Sequence, residues 1–256
     1  MNTERPYYQD INYHPFLFYV VFGADCSSLS VSREKHKVSE FPSGLELFMV
    51  KRPDNNDYMD AMLGGSIADT LRRSEPELFD AALASDVWTV LRGEITNDAT
   101  LGYMSNTIGI VQALAEQNAA AILDLQTFTL FSADEWNDTY FTQELDPCAH
   151  ADILVSQTDS NTCWLHTRGM RKFGRPDISI ENIPINQCIE TAKQIIDQMI
   201  FYGAQGAFFS RAVKLHTHDG HACIVSPAFI EDMDDPDFNN CHYRILWEEC
   251  DISPEN

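Results

Sequence analysis

FLFYVVFG, residues 16–23, is the stretch on which the class of this chain turns. It is a short run of aromatic and β-branched residues closed by a glycine, the signature of a strand buried on both faces. It is far too short to cross a bilayer, which takes about 20 apolar residues in a helix. A buried strand needs cover, which further strands and amphipathic helices in the flanking sequence would supply.

Both are present. LELFMV (45–50), after Pro42-Ser43-Gly44, VWTVLRGEI (87–95) and AAAILDL (119–125) read as further strands. From Asn55 to Ala84 the period becomes helical: Met59, Met62, Leu63, Ile67 and Leu71 recur at three and four. Pro76 then restarts the helix, and Leu78, Phe79, Ala82 and Leu83 carry its apolar face. Asn97 or Asp98 is placed to cap a helix running to about Gln117. Ser132 and Glu135 have capping-box spacing and predict a short helix. The polar stretch from Asp138 to Asn161 reads as a linker or long loop.

Beyond it, CWLHTRGM (163–170) and DISIEN (177–182) read as strands. Pro184 is placed to open a helix bearing Ile189, Ile195, Ile196 and Met199. GAFFSRAVKLHT, ACIVSPAFI and HYRILWEE read as strands near the C-terminus. Helices and strands alternate without a regular βαβ count, which predicts an α+β fold with mixed or antiparallel sheets and packed helices. Two regions are expected, 1–140 and 160–256, or one composite domain of both.

The formal charge is −22, with 39 acidic against 17 basic residues. Such a surface repels nucleic acid and anionic membranes and favours a basic protein partner. The start, MNTERPYYQD, lacks the basic and apolar segments of a secretory signal. The seven cysteines are scattered, odd in number and without C-x-x-C, which fits reduced thiols. A cytoplasmic location is expected.

Three constellations stand out. LHTHDGHAC (215–223) sets three histidines and a cysteine around Asp219-Gly220. If that pair forms a two-residue turn, His218 opposes His221 and His216 opposes Cys223 on one face. These are candidate zinc ligands, and zinc is the one cofactor considered. The competing expectation is a polar hairpin tip whose other face, with Leu215 and Ala222, meets the core. LHTRGMRKFGRPDI (165–178) crowds Arg168, Arg171, Lys172 and Arg175 around two glycines, as a candidate anion-binding turn or as partners for the chain's own acids around 231–237. Asp124 and Gln126, two apart on a predicted strand, are a candidate pocket pair. No P-loop, G-x-G-x-x-G, G-x-S-x-G or H-E-x-x-H pattern occurs.

Two stretches resemble uncharacterised bacterial proteins grouped as a domain of unknown function. The likeness lies in AILDLQTFTLFSADEW (121–136), through Asp124, Gln126, Glu135 and Trp136, and in HTRGMRKFGRPDISI, through Gly169, Phe173, Gly174, Pro176 and Asp177. The resemblance implies a bacterial source and an α+β fold, and carries no activity or catalytic residue.

Two functions are therefore expected in competition. One is a non-enzymatic acidic binding protein, of the immunity or inhibitor type, that masks a basic partner, with the acidic stretch from Glu231 to Glu255 as part of its surface. The other is a metal-dependent hydrolase built on His216, His218 and His221.

Overall fold

The computed structural model describes residues 3–52, 54–96, 98–185, 188–218, 220–235 and 237–254, with the backbone alone at 221, 253 and 254. The fold is α+β, as its alternation of elements predicts. The chain divides into two compact units. The first comprises the N-terminal residues up to Glu4 and Pro15–Asp146; the second comprises Arg5–His14 and the chain from Pro147 onward.

The first unit runs β1 (Phe16–Phe22), α1 (Arg33–His36), β2 (Glu46–Lys51), α2 (Asn56–Met62), α3 (Gly65–Ser74), α4 (Pro76–Ala84), β3 (Val87–Glu94), α5 (Gly102–Ala115), β4 (Ala121–Asp124), β5 (Thr129–Phe131) and α6 (Ala133–Thr139). Its sheet has the order β2-β3-β1-β4-β5, antiparallel throughout. FLFYVVF is the central strand. Val20 and Phe22 point into one core with Met59, Leu71, Phe79 and Trp88. Leu17, Tyr19 and Val21 alternate to the opposite face and are equally buried, with the Tyr19 ring against Trp136 of α6.

The helical stretch from 55 to 84 is three helices. Pro76 restarts the chain at the first turn of α4, as expected. A second break falls at Gly64-Gly65, where Gly65 takes φ +66, a backbone geometry open to glycine at little cost. Residue Asn97, one of the two expected caps of α5, lies outside the described residues; Asp98 is buried, and the helix starts later, at Gly102. The capping box of α6 forms as read: Ser132 Oγ accepts from Glu135 N–H at 3.2 Å, and Glu135 Oε2 accepts from Ser132 N–H at 2.8 Å.

The second unit runs β6 (Asp152–Gln157), β7 (Thr162–Arg168), β8 (Asp177–Pro184), α7 (Ile189–Ala204), β9 (Val213–His216), β10 (His221–Val225), β11 (Ala228–Ile230), β12 (His242–Leu246) and β13 (Asp251–Pro254). Its larger sheet has the order β11-β12-β8-β7-β6, and the β12–β8 pair is parallel. The smaller sheet is β13-β10-β9. Helix α7 packs against β7, β8 and β9 and buries Ile195, Ile196, Met199 and Ile200.

Two expectations need correction. The supposed linker from Asp138 to Asn161 holds strand β6, paired to β7. It is an edge strand whose Val155, Ser156 and Gln157 are exposed, so its sequence lacks the apolar weight of a central strand. Pro184 ends β8 instead of opening α7, which starts at Ile189. Among the described residues no helix is long and apolar enough to cross a membrane.

The approach of α1 to α5 depends on one residue. A Cβ at Gly109, in the middle of α5, would overlap the carbonyl oxygen of His36. Alanine gains about 1 kcal/mol in helix propensity over glycine, but forcing backbone apart costs ~1–3 kcal/mol. Gly109→Ala is therefore expected to lower stability by up to about 2 kcal/mol in urea denaturation; a more stable variant would show that the α1–α5 contact yields freely.

Candidate functional site

The histidine hairpin forms with a register different from the expected one. His216 opposes Ala222, and Leu215 opposes Cys223. The turn closes by Gly220 N–H donating to Thr217 O at 3.0 Å, with Gly220 at φ +82. Asp219 and the His221 side chain lie outside the described residues. The offset is one residue, and it separates the proposed ligands: Cys223 is buried beside Leu215, while His216 lies exposed on the other face. The edge of β9 is engaged by α7. Gln198 Nε2 donates to His216 O at 2.7 Å, His216 N–H donates to Gln198 Oε1 at 3.1 Å, and His218 N–H donates to Gln194 Oε1 at 2.9 Å. The two amides thus satisfy backbone groups as a neighbouring strand would. Among the described residues no three His, Cys, Asp or Glu side chains are grouped to hold a metal ion.

The basic cluster is drawn into the fold. Arg168 Nε donates to Asp237 O at 3.1 Å and Arg171 Nη1 to Asn239 O at 3.2 Å. These are carbonyls of the acidic C-terminal segment, the region that holds the expected carboxylate partners. Arg175, 2% exposed, reaches another region: Ala207 O at 3.1 Å, Gly174 O at 2.7 Å, Gln9 O at 2.9 Å and Gly206 O at 2.6 Å. Lys172 is fully buried. Arg5 adds bonds to Ala204 O and Phe173 O at 2.8 and 2.7 Å. The guanidinium forks here satisfy backbone carbonyls at turns.

Gly169 and Gly174 take φ +114 and +62, and between them the chain makes a single tight turn. The turn hangs on Asp177. Its Oδ1 accepts from Thr167 Oγ at 2.8 Å and Met170 N–H at 3.3 Å, and its Oδ2 from Asn240 Nδ2 at 2.8 Å. Burial pushes its pKa up to about 6, against three hydrogen bonds that favour the charged form.

Asp124 and Gln126 do not share a strand face. β4 ends at Asp124, and Gln126 lies in the following turn. Asp124 is fully buried; its Oδ2 accepts from Tyr140 Oη at 3.2 Å and its Oδ1 from Gln126 N–H at 3.0 Å. The rings of Tyr19, Phe131 and Tyr140 all meet Trp136 beside it. This carboxylate fixes the β4–β5 turn to α6. The side-chain amide atoms of Gln126 are buried without a described hydrogen-bond partner.

A polar face of the larger sheet escaped the sequence reading. His166 stacks on Trp164 at 3.9 Å, His242 stacks on Phe238 at 4.1 Å, and Phe238 meets His166 edge-on at 5.4 Å. Trp164 Nε1 donates to Ser179 Oγ at 2.8 Å, and Arg244 pairs with Glu181 through two bonds of 2.8 and 3.0 Å. Alternation along TCWLHTR, with Trp164, His166 and Arg168 on one side, is the signal that marks this face. Burial, aided by Arg168, pushes His166 down to about 4. Burial also lowers His242, against the pull of Asp235. Both rings are therefore neutral at pH 7.

The layer from Asp54 to Asp86, built on α2–α4, carries a different kind of surface. Its eight acidic residues are all exposed. Asp60 pairs with Arg52 at 3.0 Å and Asp69 with Arg72 at 3.6 Å. The carboxylates of Asp54, Asp57, Glu75, Glu77, Asp80 and Asp86 meet no described hydrogen-bond or ion-pair partner. The C-terminal acids are more engaged. Glu231 accepts from Tyr13 Oη at 2.5 Å, Asp232 from Asp234 N–H at 3.0 Å and Asp235 from Asp237 N–H at 2.9 Å, while Asn182 reaches Glu248 at 3.3 Å.

Comparison with family models, curated proteins and solved structures finds no match to this chain.

The depressed His166 pKa sets a sign for acid stability. The stability it contributes is present above its unfolded value of about 6.5 and is lost as pH falls toward 4. Asp177 acts oppositely: its contribution is complete below about 3.8 and is lost as pH rises through about 6. His166→Phe keeps the ring stack, and neither ring nitrogen has a described partner to lose. In urea titrations at pH 8 and pH 5 the variant should lose about 1 kcal/mol less on acidification than the native chain. An identical loss in both would place the acid sensitivity elsewhere.

Proposed function

We propose that this chain is an acidic binding protein of the inhibitor or immunity type, which masks a basic protein partner through the α2–α4 layer. The observation that carries this reading is the set of six exposed carboxylates on that layer with no described partner of their own. A carboxylate that is already paired inside the chain gives a partner little. One held in water on short, packed helices offers its full charge, and several together raise the association rate and fix the partner's orientation. The helices are positioned by the apolar core beneath them, so the charges are presented on a formed surface. The net charge of −22 supports a protein partner over nucleic acid. Seven scattered cysteines without a C-x-x-C support action in the reducing cytoplasm.

The test separates this layer from bulk acidity. Binding to an immobilised basic protein, cytochrome c, is measured at rising salt for the native chain and for two variants of equal charge change. One is Asp54→Asn/Asp57→Asn/Glu77→Gln/Asp80→Asn; the other is Asp232→Asn/Asp234→Asn/Glu248→Gln/Glu249→Gln. The first should weaken binding by at least about tenfold and flatten its salt dependence, and the second by much less. Equal losses in the two variants, or no salt-dependent binding by the native chain, would overturn the assignment to α2–α4.

A further inference from the structure

A cavity of about 560 Å³ opens in the first unit where α1 meets the N-terminal end of α5. That volume suits a small metabolite. Its lining includes Arg33 and Lys37, and among the described residues no carboxylate lines it. In a chain with 39 acidic and 17 basic residues this is unexpected. Several cations of the same unit, Lys35, Lys51, Arg52 and Arg72, each pair with a carboxylate, whereas Arg73 on α3 donates to the backbone oxygen of Asp69. Arg33 has no described hydrogen-bond or ion-pair partner. Lys37 meets only neutral groups: Nζ donates to Thr142 O at 2.8 Å and Phe141 O at 3.3 Å and lies over the Phe141 ring at 4.2 Å. Among the described residues neither charge is paired with a carboxylate.

The third polar wall is Asn106, only 4% exposed. Its Oδ1 is occupied, accepting from Ser39 N–H at 2.8 Å and Ser39 Oγ at 3.2 Å. That fixes the amide orientation and leaves Nδ2, a donor, without a described acceptor in a residue that lines the cavity. Gly102, the first residue of α5, also lines the cavity, and a Cβ there would meet only Thr100 Oγ1. The positive end of this 14-residue helix lies at the cavity wall, with Gly102 N–H donating to Thr100 Oγ1 at 3.3 Å.

We infer that this cavity binds the phosphate group of a sugar or polyol phosphate. Arg33 and Lys37 supply charge and Asn106 Nδ2 supplies an uncharged donor, with the positive end of α5 alongside, a set matched to a tetrahedral dianion. The remaining wall is hydroxyl and amide, from Thr3, Ser39 and Gln143, which suits a hydroxyl-bearing carrier over an apolar one. The site is separate from the acidic layer and does not depend on the binding role proposed for it.

Isothermal titration of the full chain with glucose 6-phosphate, inorganic phosphate and glucose tests this. Glucose 6-phosphate should bind saturably at one site, inorganic phosphate more weakly, and glucose undetectably. Arg33→Gln should weaken the sugar phosphate by about tenfold or more with an unchanged melting temperature, because the side chain has no described partner. Lys37→Asn should act in the same direction, asparagine being tolerant of the φ of +60 at that position. Arg73→Gln, an equal charge change on α3, should leave affinity unchanged. Absence of saturable binding by either phosphate would overturn the site, as would equal weakening by Arg73→Gln. Inorganic phosphate binding as tightly as the sugar phosphate would overturn the assignment of the carrier.

Discussion

Burial of β1 on both faces is the constraint from which the first unit follows. Five residues of a seven-residue strand, Leu17 and Tyr19 through Phe22, are wholly withdrawn from water. Backbone groups so placed need ladders on both edges, and side chains pointing both ways need cover on both faces. The edges are met by β3 and β4. One face is met by the three short helices from 56 to 84 and the other by α5 and α6. The acidic layer is a consequence: α2–α4 turn their apolar stripe to the sheet, and their remaining residues are left in water, where Asp and Glu cost nothing to expose.

A shortage of positive charge gives the cations of this protein unusual meaning. In the second unit Arg5 and Arg175 are buried and turned onto backbone carbonyls, joining residues far apart in sequence. Arginine suits that work because it stays charged when buried and offers five donors in a fixed fork. Arg168 and Arg171 hold the carbonyls of the 237–239 segment and so keep Phe238 over the two histidines. Lys37 also donates to carbonyls, those of Phe141 and Thr142, whereas Arg33, which lines the same cavity, has no described partner.

Much of this architecture is legible in the sequence. The central strand, the Pro76 restart and the Ser132–Glu135 capping box depend on residues within one turn or one strand, and each forms as its pattern indicates. Strand β6 is missed because an edge strand need not be apolar. The sites were less legible. Arg168 and Arg171 reach one segment, 237–239, while Arg175, close to them in sequence, turns to Gln9 and Gly206, since the glycine-flanked turn at 169–174 lies between. Arg33, Lys37, Ser39 and Asn106 are unremarkable in sequence and meet only because α1 packs on α5.

LHTHDGHAC separates the two kinds of information. The sequence by itself determined that a hairpin turns near Gly220, because a positive φ there favours glycine. It determined the α+β class and the strongly acidic surface, since hydrophobic period and charge are properties of the residues themselves. The strand register was decided by the tertiary structure. Leu215 and Cys223 turn inward together, Gln194 and Gln198 of α7 bind the backbone of 216 and 218, and His216 is left on the opposite face from Cys223. The physical reason is the two-residue period of a strand: a shift of one residue exchanges its faces, and packing at a distance sets that shift.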